Sequence, residues 1–221
     1  MGTDLSAELA AAARVIEAAP EVALACHVSP DGDALGSSLA FMHMLNAAGR
    51  PCVASFPEPF VVAPHYRTLP GLDALCPPAA FPQQPEVMIT FDCGSLGRLG
   101  GLEPSARAAR SLVVVDHHIS NTRFGSINLI DPDAAASAVV ALELARACGL
   151  ELIRDAEICL FAALVFDTGR FQYESTTPAV FDLARELLAF DIPVAELSRV
   201  LFDEHRFAYL EREGVELMLE E

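Results

Sequence analysis

His27-Val28-Ser29-Pro30-Asp31-Gly32-Asp33-Ala34-Leu35-Gly36-Ser37 follows directly on a short apolar run, Val22-Ala23-Leu24-Ala25-Cys26. That run, bounded by Pro20 and Glu21, reads as a buried strand. Residues 38–45 after the motif are apolar-rich and read as a helix ending near Gly49. One imidazole and two carboxylates therefore sit on a tight turn at the C-terminal edge of a strand, the edge at which open α/β sheets bind ligands. Hard carboxylate oxygens with one imidazole suit Mn²⁺ or Mg²⁺, and Zn²⁺ less well. The same residues also spell an ordinary Asx-rich turn in which Asp33 or Ser37 caps the helix that follows.

The pattern repeats outward from this stretch. Apolar runs at 52–56, 87–91, 112–115 and 127–130 read as four more strands. Ala-rich residues 4–19, with Leu5, Leu9, Val15 and Ile16 at helical spacing, read as a first amphipathic helix. Residues 57–85 hold eight prolines and little periodicity, which implies a long irregular connection with one short helix around 66–69. Further helices are expected at 103–110, at 137–148 with Gly149 closing it, and at 155–166 with Asp155 as N-cap. Three more follow at 178–190, 194–203 and 206–221. Strands alternating with helices imply an α/β fold, a parallel β-sheet of about five strands flanked by helices.

At 221 residues, 52% of them hydrophobic, the chain is long enough for one large domain or two small ones. No run reaches the roughly 18 apolar residues of a membrane span. The acidic N-terminus, Met1-Gly2-Thr3-Asp4, shows no secretory signal. Six cysteines without a CxxC pair read as reduced thiols of a cytoplasmic protein. The formal charge of −17 argues against a partner as basic-face-demanding as long duplex nucleic acid. An anionic substrate would have to be small, held by metal ions and a few arginines; all 14 basic residues are Arg.

Chemistry collects at the strand ends. Asp92 follows the third strand, Asp116-His117-His118 the fourth, and Asp167 opens Asp-Thr-Gly after an apolar helix. Each has an ordinary reading by itself, as a cap, a surface His or a turn. In a parallel sheet, however, these ends share one edge, so the groups converge on one crevice. Five aspartates there would repel one another severely unless cations bridged them. Two divalent ions about 3.5–4 Å apart sharing one carboxylate are a common solution in phosphoryl chemistry.

The ordered set His-x-x-Pro-Asp-Gly-Asp-Ala-x-Gly-Ser, strand-end Asp, Asp-His-His and Asp-Thr-Gly-x-Phe resembles the DHH phosphoesterase superfamily. Within it the chain looks most like the nanoRNase branch of oligoribonucleases and 3′-phosphoadenosine-5′-phosphate phosphatases, which includes cyclic-dinucleotide-degrading relatives. The resemblance spans roughly residues 5–205, and Asp116-His117-His118-Ile119-Ser120-Asn121-x-x-Phe124-Gly125 extends it. It implies two Mn²⁺ ions, with Mg²⁺ or Co²⁺ as alternatives. One would be held by His27, Asp31 and Asp92, the other by Asp33, Asp92, His117 and Asp167, with Asp92 bridging. Asp116 would orient His117, and His118 would act at the scissile phosphate. The implied substrate is a small nucleotide or short oligonucleotide, with the pyrophosphatases and single-strand exonucleases of the superfamily, or a non-catalytic nucleotide-binding remnant, as rivals.

Arg98, Arg123 and Ser37 are candidate substrate contacts; Arg170 also flanks a motif. Many relatives carry Ser-Thr-x-Glu where this chain has Ser137-Ala138-Val139-Val140, and Arg where Gln172 stands. The family usually continues into a smaller domain with a Gly-rich, His-containing motif. Residues 1–190 are therefore expected to form the phosphoesterase domain, and 191–221 a helical linker cut short of the second one. Exposed apolar helices at that end would favour a homodimer.

Overall fold

In a computed structural model of the chain, residues 4–190 and 192–203 are described. Its centre is a single sheet of five parallel strands: β1 (Val22–Cys26), β2 (Cys52–Ser55), β3 (Val87–Phe91), β4 (Ser111–Asp116) and β5 (Ile127–Ile130). Their spatial order is β2-β1-β3-β4-β5. Every residue of β1 and β3 is buried, as a parallel sheet covered on both faces requires. Val22, Leu24, Val87, Ile89, Phe91, Val113 and Val115 feed the larger core, under α1 (Ser6–Ala18), α2 (Gly32–Ala47), α4 (Ser137–Ala147) and α5 (Arg154–Asp167). Ala23, Ala25, Met88, Leu112 and Val114 feed a smaller core under the turn Leu96–Leu102 and α3 (Glu103–Ala108). The period-2 alternation of a strand thus divides the sheet between two cores of unequal size.

The packing of α2 against α5 positions the site. Gly32 faces Phe166, and Gly36 faces Cys159 and Ala163, so the helices run antiparallel. A Cβ on Gly36 would lie 2.5 Å from the Cys159 carbonyl oxygen, and one on Gly32 2.8 Å from the Phe166 ring. The missing side chains set how closely the helices approach. Asp33 in the first turn of α2 and Asp167 at the end of α5 are thereby brought to the same end of the pair.

Several boundaries differ from expectation. The motif after β1 is less a turn than a helix start: α2 begins at Gly32 because Asp31 accepts the Ala34 N–H at 3.0 Å. Asp31, rather than Asp33 or Ser37, is the cap. In α5 the N-cap position is Ile153 with no side-chain cap, so Asp155 sits inside the first turn instead of before it. The proline-rich connection holds three short 3₁₀ turns, Pro64–Tyr66, Leu72–Ala74 and Pro78–Ala80, where one helix was expected. After α6 (Pro178–Leu187) and α7 (Val194–Ser198), the helix expected at 206–221 lies outside the described residues. No described helix is long and apolar enough to cross a membrane.

Candidate metal centre

The strand order reverses its direction of growth between β1 and β3, so the connections leaving their C-terminal ends part and open a crevice. His27 follows β1 into it. Its Nδ1 lies 2.9 Å from the Val28 carbonyl oxygen, which fixes that nitrogen as the donor and turns Nε2 inward. Nε2 is 3.7 Å from Asp31 Oδ2 and 3.5 Å from Asp92 Oδ2.

Asp92 follows β3 with φ +54°, the left-handed region that non-glycine residues enter at a cost. Its N–H is tied to the Val115 carbonyl at 2.9 Å. The two carboxylate oxygens face different partners. Oδ2 faces His27, while Oδ1 accepts the Ser137 hydroxyl at 2.8 Å and lies 3.7 Å from His117 Nε2. His117 repeats the construction of His27: Nδ1 is 3.2 Å from the Ala134 carbonyl, and Nε2 is 3.0 Å from Asp167 Oδ2 and 3.9 Å from Asp33 Oδ2.

Asp33 is fully buried beneath the N-terminus of α4. Its carboxylate accepts the Ser137 N–H at 2.5 Å, the Ala138 N–H at 3.0 Å and the Ser37 hydroxyl at 2.9 Å. Two backbone donors and the helix dipole therefore hold a carboxylate that water does not reach. Asp116 is anchored as firmly, accepting Nδ1 of His118 at 2.7 Å, the N–H groups of His117 and His118, and Asn121 Nδ2 at 2.5 Å.

These contacts shape the charge. Burial alone would lower the His27 imidazole, but Asp31 and Asp92 outweigh it and carry its pKa to about 10. His117 reaches about 10 in the same way, through Asp167, Asp33 and Asp92. Burial, with the nearby Asp92 and Asp167 charges, pushes Asp33 well above the carboxylate range, and burial raises Asp167 too. Asp31 and Asp116 are held low despite burial, the first by His27 and the Ala34 N–H, the second by His118 and Asn121. The cluster holds more negative charge than it can carry alone, and protons on its imidazoles are the compensation.

Ligand atoms of His27, Asp31 and Asp92 lie within 4.8 Å of one another, as do those of Asp33, His117 and Asp167, and those of Asp92, His117 and His118. The donor set fits a divalent cation. Hard oxygens dominate, and both inner histidines present Nε2 while Nδ1 is spent on a backbone carbonyl, the outer-sphere bond that metal-ligating histidines usually make.

Residues 21–164 match the DHH family, N-terminal domain. The chain belongs to the DHH family. The bifunctional oligoribonuclease and PAP phosphatase NrnA of Thermus thermophilus is 32% identical to it over 178 residues, covering 79% of this chain and 52% of that protein. The Bacillus subtilis protein of the same name is 26% identical over 195 residues, covering 86% of this chain and 59% of its own. The chain spans about half the length of the curated relatives it matches. Among solved structures, an exopolyphosphatase-related protein from Bacteroides fragilis superposes with a TM-score of 0.86 at 21% identity, over 96% of this chain and 65% of that one. A Methanococcus jannaschii protein assigned to the family II inorganic pyrophosphatases gives 0.52 at 16%, over 86% and 60%. Both likenesses concern the fold.

In this DHH domain the six expected ligands and His118 meet in one crevice, but three other expectations need correction. Asp116 grips the His118 ring rather than orienting that of His117, because His118 Nδ1 lies over its Oδ1 while the His117 ring turns to Ala134. Ser37 is buried inside α2 and donates to Asp33, so it supports a carboxylate and does not face a substrate. Arg123 is exposed on a separate surface beside Ala7, Glu8 and Asn128. Arg98 does border the site: with Gly94, Ser95, Ser120 and Thr122 it lines a cavity of about 290 Å³ that includes Asp92 and His118. The sequence reading missed Ser137 and Asn121, whose bonds fix Asp33, Asp92 and Asp116. A Ser opening a helix five residues past the strand-end Asp131-Pro132 was the available sign for Ser137.

Proposed function

We propose that the chain is the metal-binding part of a phosphoesterase that hydrolyses short oligonucleotides or dinucleotides, or 3′-phosphoadenosine-5′-phosphate, to mononucleotides. The observation that carries this reading is Asp92, whose two oxygens face two imidazole–carboxylate sets across the switch point of the sheet. The names of the relatives supply the substrate class. His27, Asp31 and Asp92 would hold one divalent ion, and Asp33, Asp92, His117 and Asp167 a second, with Mn²⁺ the proposed metal. Bound there, such ions supply a hydroxide nucleophile at neutral pH and offset charge developing on phosphorus.

The remaining work falls to the chain itself. The carbonyls of Val28 and Ala134 hold the two inner imidazoles in the tautomer that leaves Nε2 free. Asp116 favours the protonated His118, whose pKa it raises, so that His118 can donate a proton toward the leaving oxygen. Arg98 lines the adjoining cavity and would receive a substrate phosphate there. Product analysis with Mn²⁺ and the linear dinucleotide pApA tests the reading. AMP released by the wild type and not by Asp92→Ala is the expected result. Release of phosphate from inorganic pyrophosphate with no AMP from pApA would move the chain to the pyrophosphatases instead.

A further inference from the structure

Directly after Asp167 the backbone does something that packing alone does not require. Gly169, Arg170 and Phe171 have φ of 55°, 61° and 63°, three successive residues in the left-handed region, two of them carrying full side chains. The turn is wound around Thr168, which is fully buried. The Thr168 hydroxyl donates to the Leu164 carbonyl at 2.7 Å and accepts the Phe171 N–H at 3.1 Å. Its carbonyl accepts the N–H groups of Gln172 and Tyr173 at 2.9 and 3.0 Å. The strain is thus overdetermined by four bonds to one residue.

The construction separates two aromatic rings. Phe171 turns toward the core and stacks on Phe181, with centroids 5.5 Å apart. Tyr173 is left 62% exposed, its ring lying against Gly169. Three of its ring carbons are 2.4–2.6 Å from the point where a Cβ on Gly169 would stand, so only glycine admits the ring there. Gly169 is two residues from Asp167, within about 7.6 Å Cα to Cα. An isolated exposed apolar side chain needs no explanation. One held against the backbone of a strained turn that begins directly after a candidate ligand does.

We propose that Tyr173 is a stacking platform for the nucleobase of the substrate. This rests on the phosphoesterase reading and deepens it. In this reading the phosphate lies at the Arg98 cavity that borders Asp92 and His118, and the base lies on the Tyr173 ring, which the turn after Asp167 holds against Gly169. Every base presents a π-face, so such a platform tolerates any base while rejecting phosphoesters that have none.

The chain contains no Trp, so Tyr173→Trp introduces a single indole emission. AMP is expected to quench it saturably in the presence of Mg²⁺, and ribose 5-phosphate to leave it unchanged. With Mn²⁺ and pApA, Tyr173→Ala is expected to raise KM by about tenfold to a hundredfold with little change in kcat, and Tyr173→Phe to restore the wild-type KM. Equal response to AMP and ribose 5-phosphate, or an unchanged KM in a folded Tyr173→Ala chain, overturns the platform even if pApA is cleaved. Quenching by AMP alone, without turnover of pApA by the wild type, supports the platform and counts only against the catalytic reading.

Discussion

Near opposite ends of α5 stand two carboxyl groups that are both 0% exposed, and they could hardly be treated more differently. Asp33, against the C-terminal end, accepts two backbone N–H groups and a hydroxyl and faces His117. Glu157, in the N-terminal turn, has no hydrogen-bond partner on either oxygen among the described residues, and burial with the nearby Glu186 pushes its pKa up to about 7. Burial is therefore not what marks a functional acid. Burial raises the pKa of both acids, but Asp33 alone of the two is supplied with backbone donors, a hydroxyl and a facing imidazole. That setting lets a carboxylate carry charge once a cation joins it. The same helix pair holds an assembled site at one end and an uncompensated burial at the other.

The heaviest blow to the assembled end is Asp92→Ala, which removes the carboxylate proposed to serve both ligand sets. Turnover of pApA should fall by ~10³-fold or more, while a urea titration shows the chain still folded. If turnover survives, the two sets do not work as a unit. Ser137→Ala probes the support instead of the ligand. Loss of its hydroxyl from Asp92 should cost about 10- to 100-fold in kcat/KM, with the Mn²⁺ requirement shifted to higher concentration.

Gly36→Ala tests whether helix spacing connects the two ends. The added Cβ would meet the Cys159 carbonyl at 2.5 Å, and a loss of roughly 1–3 kcal/mol in unfolding free energy should appear in the urea midpoint. An unchanged midpoint would mean α2 and α5 can separate freely.

Glu157→Gln probes the uncompensated end, and its effect depends on pH. Below the ordinary value of 4.5 both folded and unfolded wild type are protonated at Glu157. Between 4.5 and about 7 only the unfolded chain loses this proton, so wild-type stability declines as pH rises. The Gln variant lacks that decline and should gain on wild type across the interval, with a constant advantage above it. Stability curves that stay parallel from pH 4 to 8 would show that Glu157 ionises as freely in the folded state as in the unfolded one.

The strands, their parallel sense and the gathering of six ligand-type residues could be read from sequence because each depends on local order. Apolar runs bounded by breakers make strands, a parallel sheet sends their C-terminal ends to one edge, and His27, Asp92 and Asp116 stand at those ends. What could not be read depends on groups distant in the chain. Ser137 reaches Asp33 and Asp92 across 104 and 45 positions, and Glu157 meets Glu186 only because α6 folds over α5. Which histidine Asp116 grips, whether Ser37 faces a ligand or a carboxylate, and that Arg98 borders the crevice while Arg123 does not, all follow from rotamers and helix starts a few ångströms apart. Local pattern determined which elements form and which edge carries the acids. Only the packing of those elements decided which acid is supported, which histidine is oriented and which ring is left facing solvent, because hydrogen bonds act over about 3 Å and sequence spacing carries no such distance.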